Sequence, residues 1–566
     1  MSFVVTQPCC NDASCIPVCP VGCIRPTPDD PAFRTTEMLY IDPQTCIDCG
    51  ACMDACPVEA IYHEDELPEG YERFPEINAE YFRRHPIDPA QIPSVPPPAV
   101  KVPRGEQPWR VAIVGSGPAG TYAAAELLAR MPSGAVEVEM FDRLPTPWGL
   151  VRAGVAPDHL ATKSITEVFR KIAAKPGFRF HLNVEIGRHL THDELLAHHH
   201  AVIYAVGALE DRKLDVPGAE LPGSVAATEF VAWYNGHPDY AHRSFDLHGE
   251  RAVIVGNGNV ALDVARLLVT DPDELAQSDM AAHALEALRT STIREVVVLG
   301  RRGPAQAAYT TPELLALGRI AGVDVVVDPD DLELGDATDT QQSFSTALKM
   351  RVVREYADSA TDSAHKRIVL RYLASPTRIL GDERVEGVEI VRNELVENER
   401  GVLEARATGR REVLDAGLVL RSIGYRGRAV PGVPFDSRSG VIPNVDGRVV
   451  DPATATSIPG VYTTGWVKRG PSGVIGTNKL CARDTVARLI DDLLGGRLPQ
   501  PASAGSRDAL TVLIHERQPD VVDRKGWLAI DAEERARGRE RDRPRAKLTD
   551  VESMLAAART AMQPVV

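Results

Sequence analysis

Twice along the chain an uninterrupted apolar run gives way to a glycine-rich break and then to a stretch with helical spacing. The first copy is Val111-Ala-Ile-Val114, Gly115-x-Gly117-x-x-Gly120 and Thr121–Met131, followed by a second apolar run, Val136–Phe141, that ends at Asp142. The second copy is Arg251-Ala-Val-Ile-Val255, Gly256-Asn257-Gly258-Asn259-Val260-Ala261 and a helix over 260–269, with its next apolar run at Glu295–Gly300. Runs this short and this continuously apolar predict strands buried on both faces, the pattern of parallel sheets. Val202–Gly207 and Leu418–Tyr425 predict two further buried strands that end in or near glycine. Residues 270–292, rich in Ala, Leu and acids, predict helix. Residues 66–108 hold ten prolines, among them Pro96-Pro97-Pro98, and predict an extended, semi-rigid linker without helix interior or central strand.

Composition narrows the class. At 566 residues the chain exceeds what one core organises and implies roughly three or four domains. A hydrophobic share of 44% and a charged share of 25% are those of an ordinary globular protein. No run of about 18 apolar residues occurs, and Met1–Cys9 lacks the basic and long apolar regions of a secretory signal. A cytoplasmic location without a membrane span is therefore expected. The net charge of −16 argues against nucleic acid as a partner. Half of it lies in residues 1–65, where ten acids face only Arg25 and Arg34.

Nine of the ten cysteines lie in the same segment, and dense thiols in an intracellular chain point to metal. Cys46-x2-Cys49-x2-Cys52-x3-Cys56-Pro57 is the bacterial ferredoxin run, in which three thiolates hold one cubane and the cysteine before proline ligates the other cluster. Its partner is Cys9-x2-Asp12-x2-Cys15-x3-Cys19-Pro20, with Asp12 at the second position. The crossing rule assigns Cys19, Cys46, Cys49 and Cys52 to a [4Fe–4S] cluster. Cys9, Cys15 and Cys56 are assigned to a [3Fe–4S] cluster, or to a [4Fe–4S] cluster whose fourth iron is held weakly by the hard carboxylate of Asp12. Cys10 and Cys23 are left over as substitutes. Zinc has no use for the x2-x2-x3-Pro run twice over. Residues 1–65 resemble the two-cluster bacterial ferredoxins and depart from their pattern at Asp12.

The glycine loops predict dinucleotide sites. The glycines permit a tight turn and the approach of a pyrophosphate to a helix N-terminus, and Asp142 stands where an acid binds ribose hydroxyls. The second loop lacks such an acid and offers Arg301 and Arg302 instead, suited to a 2′-phosphate and hence to NADP(H). Hydride carriers move electrons in pairs and clusters take them singly, so the first site is expected to hold FAD as the converter.

Residues 109–555 resemble the adrenodoxin-reductase-like ferredoxin–NADP+ reductases, glutathione-reductase-like flavoproteins, through Leu144–Arg152, Gly154–His159, Gly300–Gln306, Glu313 and Gly465–Lys479. The whole chain is similar to the fused form, in which a ferredoxin precedes the reductase. The resemblance implies an α/β fold of two Rossmann-like dinucleotide-binding domains behind a small α+β ferredoxin-like domain. It places an FAD-binding domain at 109–211 and 426–500, an NADP-binding domain at 212–425 and a C-terminal tail at 501–566 packed on the FAD domain. FAD is implied to contact Gly115, Gly117, Gly120, Asp142, Leu150, Ile186, Trp466, Gly473, Val474 and Ile475. NADP(H) is implied at Asn257, Gly258, Asn259, Val260, Arg301 and Arg302. His159 and Glu313 are implied as the polar pair beside flavin and nicotinamide.

Other features carry less. His198-His-His200 reads as a polar edge, Cys481 as a packed thiol, residues 533–547 as a solvated helix or arm, and Trp527 as the pin of the tail. The expected activity is that of an NADPH–ferredoxin oxidoreductase delivering single electrons through its own clusters to an external ferredoxin or monooxygenase, reversible in principle. The alternative is a flavin and iron–sulfur relay subunit of a larger, glutamate-synthase-like complex.

Overall fold

A computed structural model describes residues 2–87, 108–332, 343–501 and 507–562. Both repeats form the parallel sheets that their apolar runs predict. In the first lobe the strands Phe178–Leu182, Val136–Asp142, Trp109–Val114, Ala201–Tyr204 and Ser457–Thr463 lie side by side and parallel, and an antiparallel edge, Arg448–Val450 and Asn444–Val445, completes seven strands. In the second lobe Ser224–Ala226, Leu418–Arg421, Arg251–Val255, Glu295–Leu299, Lys366–Arg371 and Val323–Val327 make six, all parallel. Val111, Ile113, Val253 and Ile254 are almost wholly buried, as strands covered on both faces require. Glu210–Asp211 pairs with Tyr425–Arg426 where the chain crosses between the lobes. Residues 270–292 contain two short helices, Pro272–Leu275 and Ala282–Arg289. An antiparallel sheet of Ala374–Leu380, Gly387–Glu397 and Leu403–Asp415 was not foreseen.

The amino-terminal unit is two antiparallel strand pairs, Phe3–Val5 with Ile61–His63 and Ile24–Arg25 with Tyr40–Ile41. The expectation of a linker throughout 66–108 needs correction. Phe74–Arg84 is a helix with Pro75 in its first turn, where the missing N–H costs nothing, and Phe74, Ile77, Tyr81 and Phe82 form its buried stripe. Its buried Asn78 accepts from the Val5 and Ile41 amides (3.2 and 2.9 Å) and donates to the Val5 carbonyl (2.9 Å), so it ties both strand pairs together. The proline count over the whole stretch hid this amphipathic segment; Pro89–Pro103 falls outside the described residues.

This unit is fastened to both lobes. Toward the six-stranded lobe, Arg73 pairs bidentately with Glu355 (2.7 and 3.1 Å), Arg351 with Glu80 (2.7 Å), and the Phe344 ring meets Tyr40 and Tyr81 edge-on. Toward the seven-stranded lobe, the Ser164 hydroxyl donates to the Pro57 carbonyl (2.7 Å) and Arg34 pairs with Asp484 (3.2 Å).

The carboxy-terminal segment folds as Arg507–Arg517, Arg524–Arg539 and Val551–Met562. Val522 exchanges backbone bonds with Leu182 and so covers the edge of the seven-stranded sheet. The expected solvated arm at 533–547 is instead turned inward: Glu534 is fully buried between Arg152 and Arg545, and Asp531 takes Arg170, Arg535 and Arg545. Trp527 is buried edge-on to Trp148 beneath the Arg152 guanidinium. The histidine run is likewise no polar edge. His199 is fully buried, with one ring nitrogen on the Leu195 carbonyl and the other 2.8 Å from Glu139, and His200 accepts from the Arg110 amide. Among the described residues no helix is long and apolar enough to cross a membrane.

Candidate functional site

The two glycine loops solve the same steric problem. Gly115 (φ +105°) lies under the Ala205 carbonyl, 2.4 Å from where a Cβ would stand, and Gly256 (φ +112°) lies under the Ser422 carbonyl at 2.2 Å. Each loop therefore turns beneath the carbonyl that follows the neighbouring strand, at a backbone angle that glycine alone adopts freely. A Cβ on Gly120 would come 2.0 Å from the Gly115 carbonyl oxygen. By contrast one on Gly258 would meet nothing within 4 Å, and one on Gly117 only Gly149 at 3.9 Å. That open space lies at the starts of helices Pro118–Arg130 and Asn259–Val269, where N–H groups face outward and suit a pyrophosphate. Gly120→Val forces the first loop off its helix at a cost of about 1–3 kcal/mol; the purified variant is expected to have lost most of its flavin absorbance.

Asp142 accepts from the Ser116 amide (3.0 Å) and hydroxyl (2.5 Å) and from the Leu144 amide (3.0 Å). A carboxylate offers about four acceptor positions, so this one first shapes the loop and keeps room for one ribose hydroxyl. Leu150 opens a short helix behind Gly149, which faces Gly117, and Ile186 is bridged to Leu190. Trp466 donates its indole N–H to the Ser472 carbonyl (3.1 Å), closing a turn over Gly473 (φ +79°). Val474 and Ile475 then begin the twenty-residue helix Ile475–Leu494. Cys481 is a buried acceptor for the Gly465 amide, in keeping with a packed thiol.

On the second loop, the Asn259 side chain exchanges bonds with the Thr310 amide (2.7 Å) and hydroxyl (3.2 Å), which seats helix Thr311–Leu317 and its Glu313 against the glycine turn. Asn257 packs against Gly300, and its carbonyl accepts from the Tyr309 amide. Val260 is half-buried in the first turn of Asn259–Val269. Arg301 and Arg302 have their backbone carbonyls held by Asn393 (2.9 Å) and Leu373 (3.1 Å), while among the described residues their guanidiniums have no partner.

His159 and Glu313 do meet, 3.9 Å apart, and with them stand Asp263, 3.7 Å from the imidazole, and Arg266, 3.0 Å from it. An arginine only donates, so His159 Nε2 accepts and the ring proton sits on Nδ1. Arg266 is buried between Asp158 and Asp263 and is held firmly charged. Burial, with the Asp263 carboxylate adding to it, pushes the Glu313 carboxyl above its ordinary range, against the opposing charge of Arg266. Asp263 and Arg266 were missed by sequence reading. Their signal was available: they are the only charged residues of the helix Asn259–Val269. The cleft beside this cluster, about 290 Å3, is lined by Asp158, His159 and Glu313 and also by Gln7, Pro8 and Tyr71 of the amino-terminal unit.

The thiols gather in two groups. Burial pushes Cys9 up to about 11 and Cys15 well above the ordinary thiol range; Cys56 and Asp12 raise both further, Cys9 also raises Cys15, Cys10 stands beside them, and Cys15 in addition feels Cys52. Cys19, Cys46 and Cys52 form the second group together with Cys23, whose thiol lies 3.4 Å from that of Cys19. The Cys23 contact draws Cys19 down to about 5, and burial pushes Cys52 up to about 12. Cys49 is exposed. Where burial raises a thiol in this way, a bound metal cation displaces its proton, and the Leu39 and Ala60 amides already point at Cys9 and Cys56 sulfur, the kind of bond that tunes a cluster. The donor set thus fits iron–sulfur chemistry. Asp12 does not share the thiols' situation. Its buried carboxylate accepts from Ser14, Tyr122 (2.7 Å) and Lys479 (3.2 Å to each oxygen), and although burial alone would raise its pKa, Lys479 and the two hydroxyls hold it below the usual value.

Comparison with known proteins identifies the two parts of the chain. Residues 39–62 match a family described as 4Fe-4S binding domain, and residues 109–296 match pyridine nucleotide-disulphide oxidoreductase. A probable ferredoxin/ferredoxin–NADP reductase of Mycobacterium leprae is 51% identical, over 99% of this chain and 98% of its own. NADPH-ferredoxin reductase FprA of Mycobacterium tuberculosis is 49% identical over 79% of this chain and 99% of its own. The solved structure of FprA in complex with NADPH superposes with a TM-score of 0.75 at 48% identity, covering 80% of this chain and all of the other.

Proposed function

The chain belongs to the ferredoxin/ferredoxin–NADP reductases, and from that membership we propose that it carries its own electron exit. It is an NADPH-dependent oxidoreductase of α/β fold with an iron–sulfur domain at its amino terminus. The finer reading is one [4Fe–4S] cluster on Cys19, Cys46, Cys49 and Cys52, and a [3Fe–4S] cluster on Cys9, Cys15 and Cys56. What supports it is the spacing of the two cysteine runs together with Cys56 acting on Cys9 and Cys15, and Cys46 and Cys19 acting on Cys52.

The Gly115–Gly120 loop, Asp142 and the turn at Gly473 would hold FAD, which would supply the conversion of hydride into single electrons. The chain's own residues do the rest. Arg266 fixes His159 as an acceptor toward Arg266 and a donor at Nδ1. The buried Glu313, its pKa raised, can hold a proton that an exposed glutamate would lose. Both therefore act by orientation and proton handling at the edge of the cleft, and hydride needs no side chain as a carrier. Reverse flow uses the same parts.

The external partner is a ferredoxin-type electron protein. It meets the second cluster's loop, where Cys49 is exposed beside Ile47 (57% exposed) and Met53 (43%). Anaerobic analysis for flavin, iron and sulfide, with EPR before and after NADPH, tests the reading. Two spectroscopically distinct clusters, both reduced on adding NADPH, are expected. Clusters that stay oxidised while the flavin bleaches would refute internal delivery.

A further inference from the structure

Loop 9–15 of the amino-terminal unit sits directly on the first turn of helix Ile475–Leu494. The Gly476 amide donates to the Cys10 carbonyl (2.8 Å), and a Cβ at Gly476 would lie 1.9 Å from the Asn11 carbonyl oxygen. One turn on, Lys479 donates to the Asp12 main-chain oxygen (2.9 Å), to both Asp12 carboxylate oxygens and to the Ser14 hydroxyl (3.3 Å). The Tyr122 hydroxyl, from helix Pro118–Arg130 behind the first glycine loop, donates to the same carboxylate. Counting Ser14, the Asp12 carboxylate thus receives four hydrogen bonds from three donor groups, about as many bonds as a carboxylate accepts.

From this geometry we infer that Asp12 is a docking residue and not an iron ligand. Engaged by Lys479 and Tyr122, it seats the loop of Cys9 and Cys15 on the two helices whose starts flank the flavin site, and so makes that thiol group the entry for electrons. The second group, with its exposed Cys49, is the exit. Each crossing moves one electron from reduced isoalloxazine to one ferric cluster. Two crossings discharge one hydride equivalent and release one proton to solvent. The inference rests on the iron–sulfur reading, which iron and sulfide counts on the wild-type holoenzyme test first and separately.

The decisive comparison uses wild-type, Asp12→Asn and Lys479→Met holoenzymes, with the EPR signal of the oxidised three-iron cluster as readout. If Asp12 only docks, anaerobic ferrous iron leaves that signal equally intact in wild type and Asp12→Asn. Loss of the signal in wild type, but not in Asp12→Asn, would make the carboxylate a ligand and overturn the proposal. In rapid-freeze experiments both variants keep wild-type flavin reduction by NADPH, but the first cluster is reduced at least about tenfold more slowly, the scale of one lost charge-assisted bond. Lys479→Arg restores the rate. Unchanged cluster reduction in both variants, with flavin and iron counts intact, would also overturn it.

Discussion

Replacing Arg301 and Arg302 together by alanine is expected to lower kcat/KM for NADPH by about 10²- to 10⁴-fold while leaving NADH within a few-fold of wild type. The range follows from two charge-assisted hydrogen bonds to a 2′-phosphate at about 1.5–3 kcal/mol each, with about 1.4 kcal/mol per tenfold. The geometry favours the upper half. Both backbones are pinned by Leu373 and Asn393, the latter buried on the unforeseen antiparallel sheet, so the guanidiniums are delivered to one place and have no partner among the described residues to lose first. Steady-state ferricyanide reduction with each coenzyme measures the effect without involving the clusters. Equal losses for NADPH and NADH would mean that the pair supports the fold and reads no phosphate.

The second large effect is on stability. Glu534 is fully buried, takes Arg152 bidentately, Arg545 (2.6 Å) and the Leu548 amide (3.0 Å), and is held ionised because these cations outweigh the burial that would neutralise it. Glu534→Ala strands the Arg152 guanidinium and the Leu548 amide and leaves Arg545 only its Asp531 pair, a loss of about 3–5 kcal/mol for a buried pair broken from one side. Arg152 lies in the helix begun by Leu150 beside the first glycine loop, so unfolding and flavin release should advance together on heating. The sign with pH is fixed by the depressed carboxyl. Its contribution is complete above the ordinary glutamate value of about 4.3 and disappears as pH falls through the lower folded value. Wild type should lose its advantage over Glu534→Ala in that acid window; a gap that persists there would place the effect in packing.

What could be read from the sequence was what is written in short windows. The cysteine runs, the glycine loops and Arg301-Arg302 are each recognisable from a few neighbouring residues, and the structure forms both glycine turns at the starts of helices. What stayed hidden depends on distant partners. The helix Phe74–Arg84 was masked by averaging prolines over a stretch of which it is one part. Asp263 and Arg266 looked like ordinary polar positions until the fold set them beside His159. Asp12 fitted a ligand position by spacing, and only the folded chain brings it Lys479, 467 residues away.

The double fastening of the amino-terminal unit has a mechanical consequence. Arg73, Glu80 and the Phe344 contact bolt it to one lobe, while Pro57, Arg34 and Asp12 bolt it to the other. It therefore works as a crossbar between them. Any swing that widens the cleft for a pyridine nucleotide must drag the crossbar or shear one set of bolts, so coenzyme traffic and the gap that electrons jump are geared to each other.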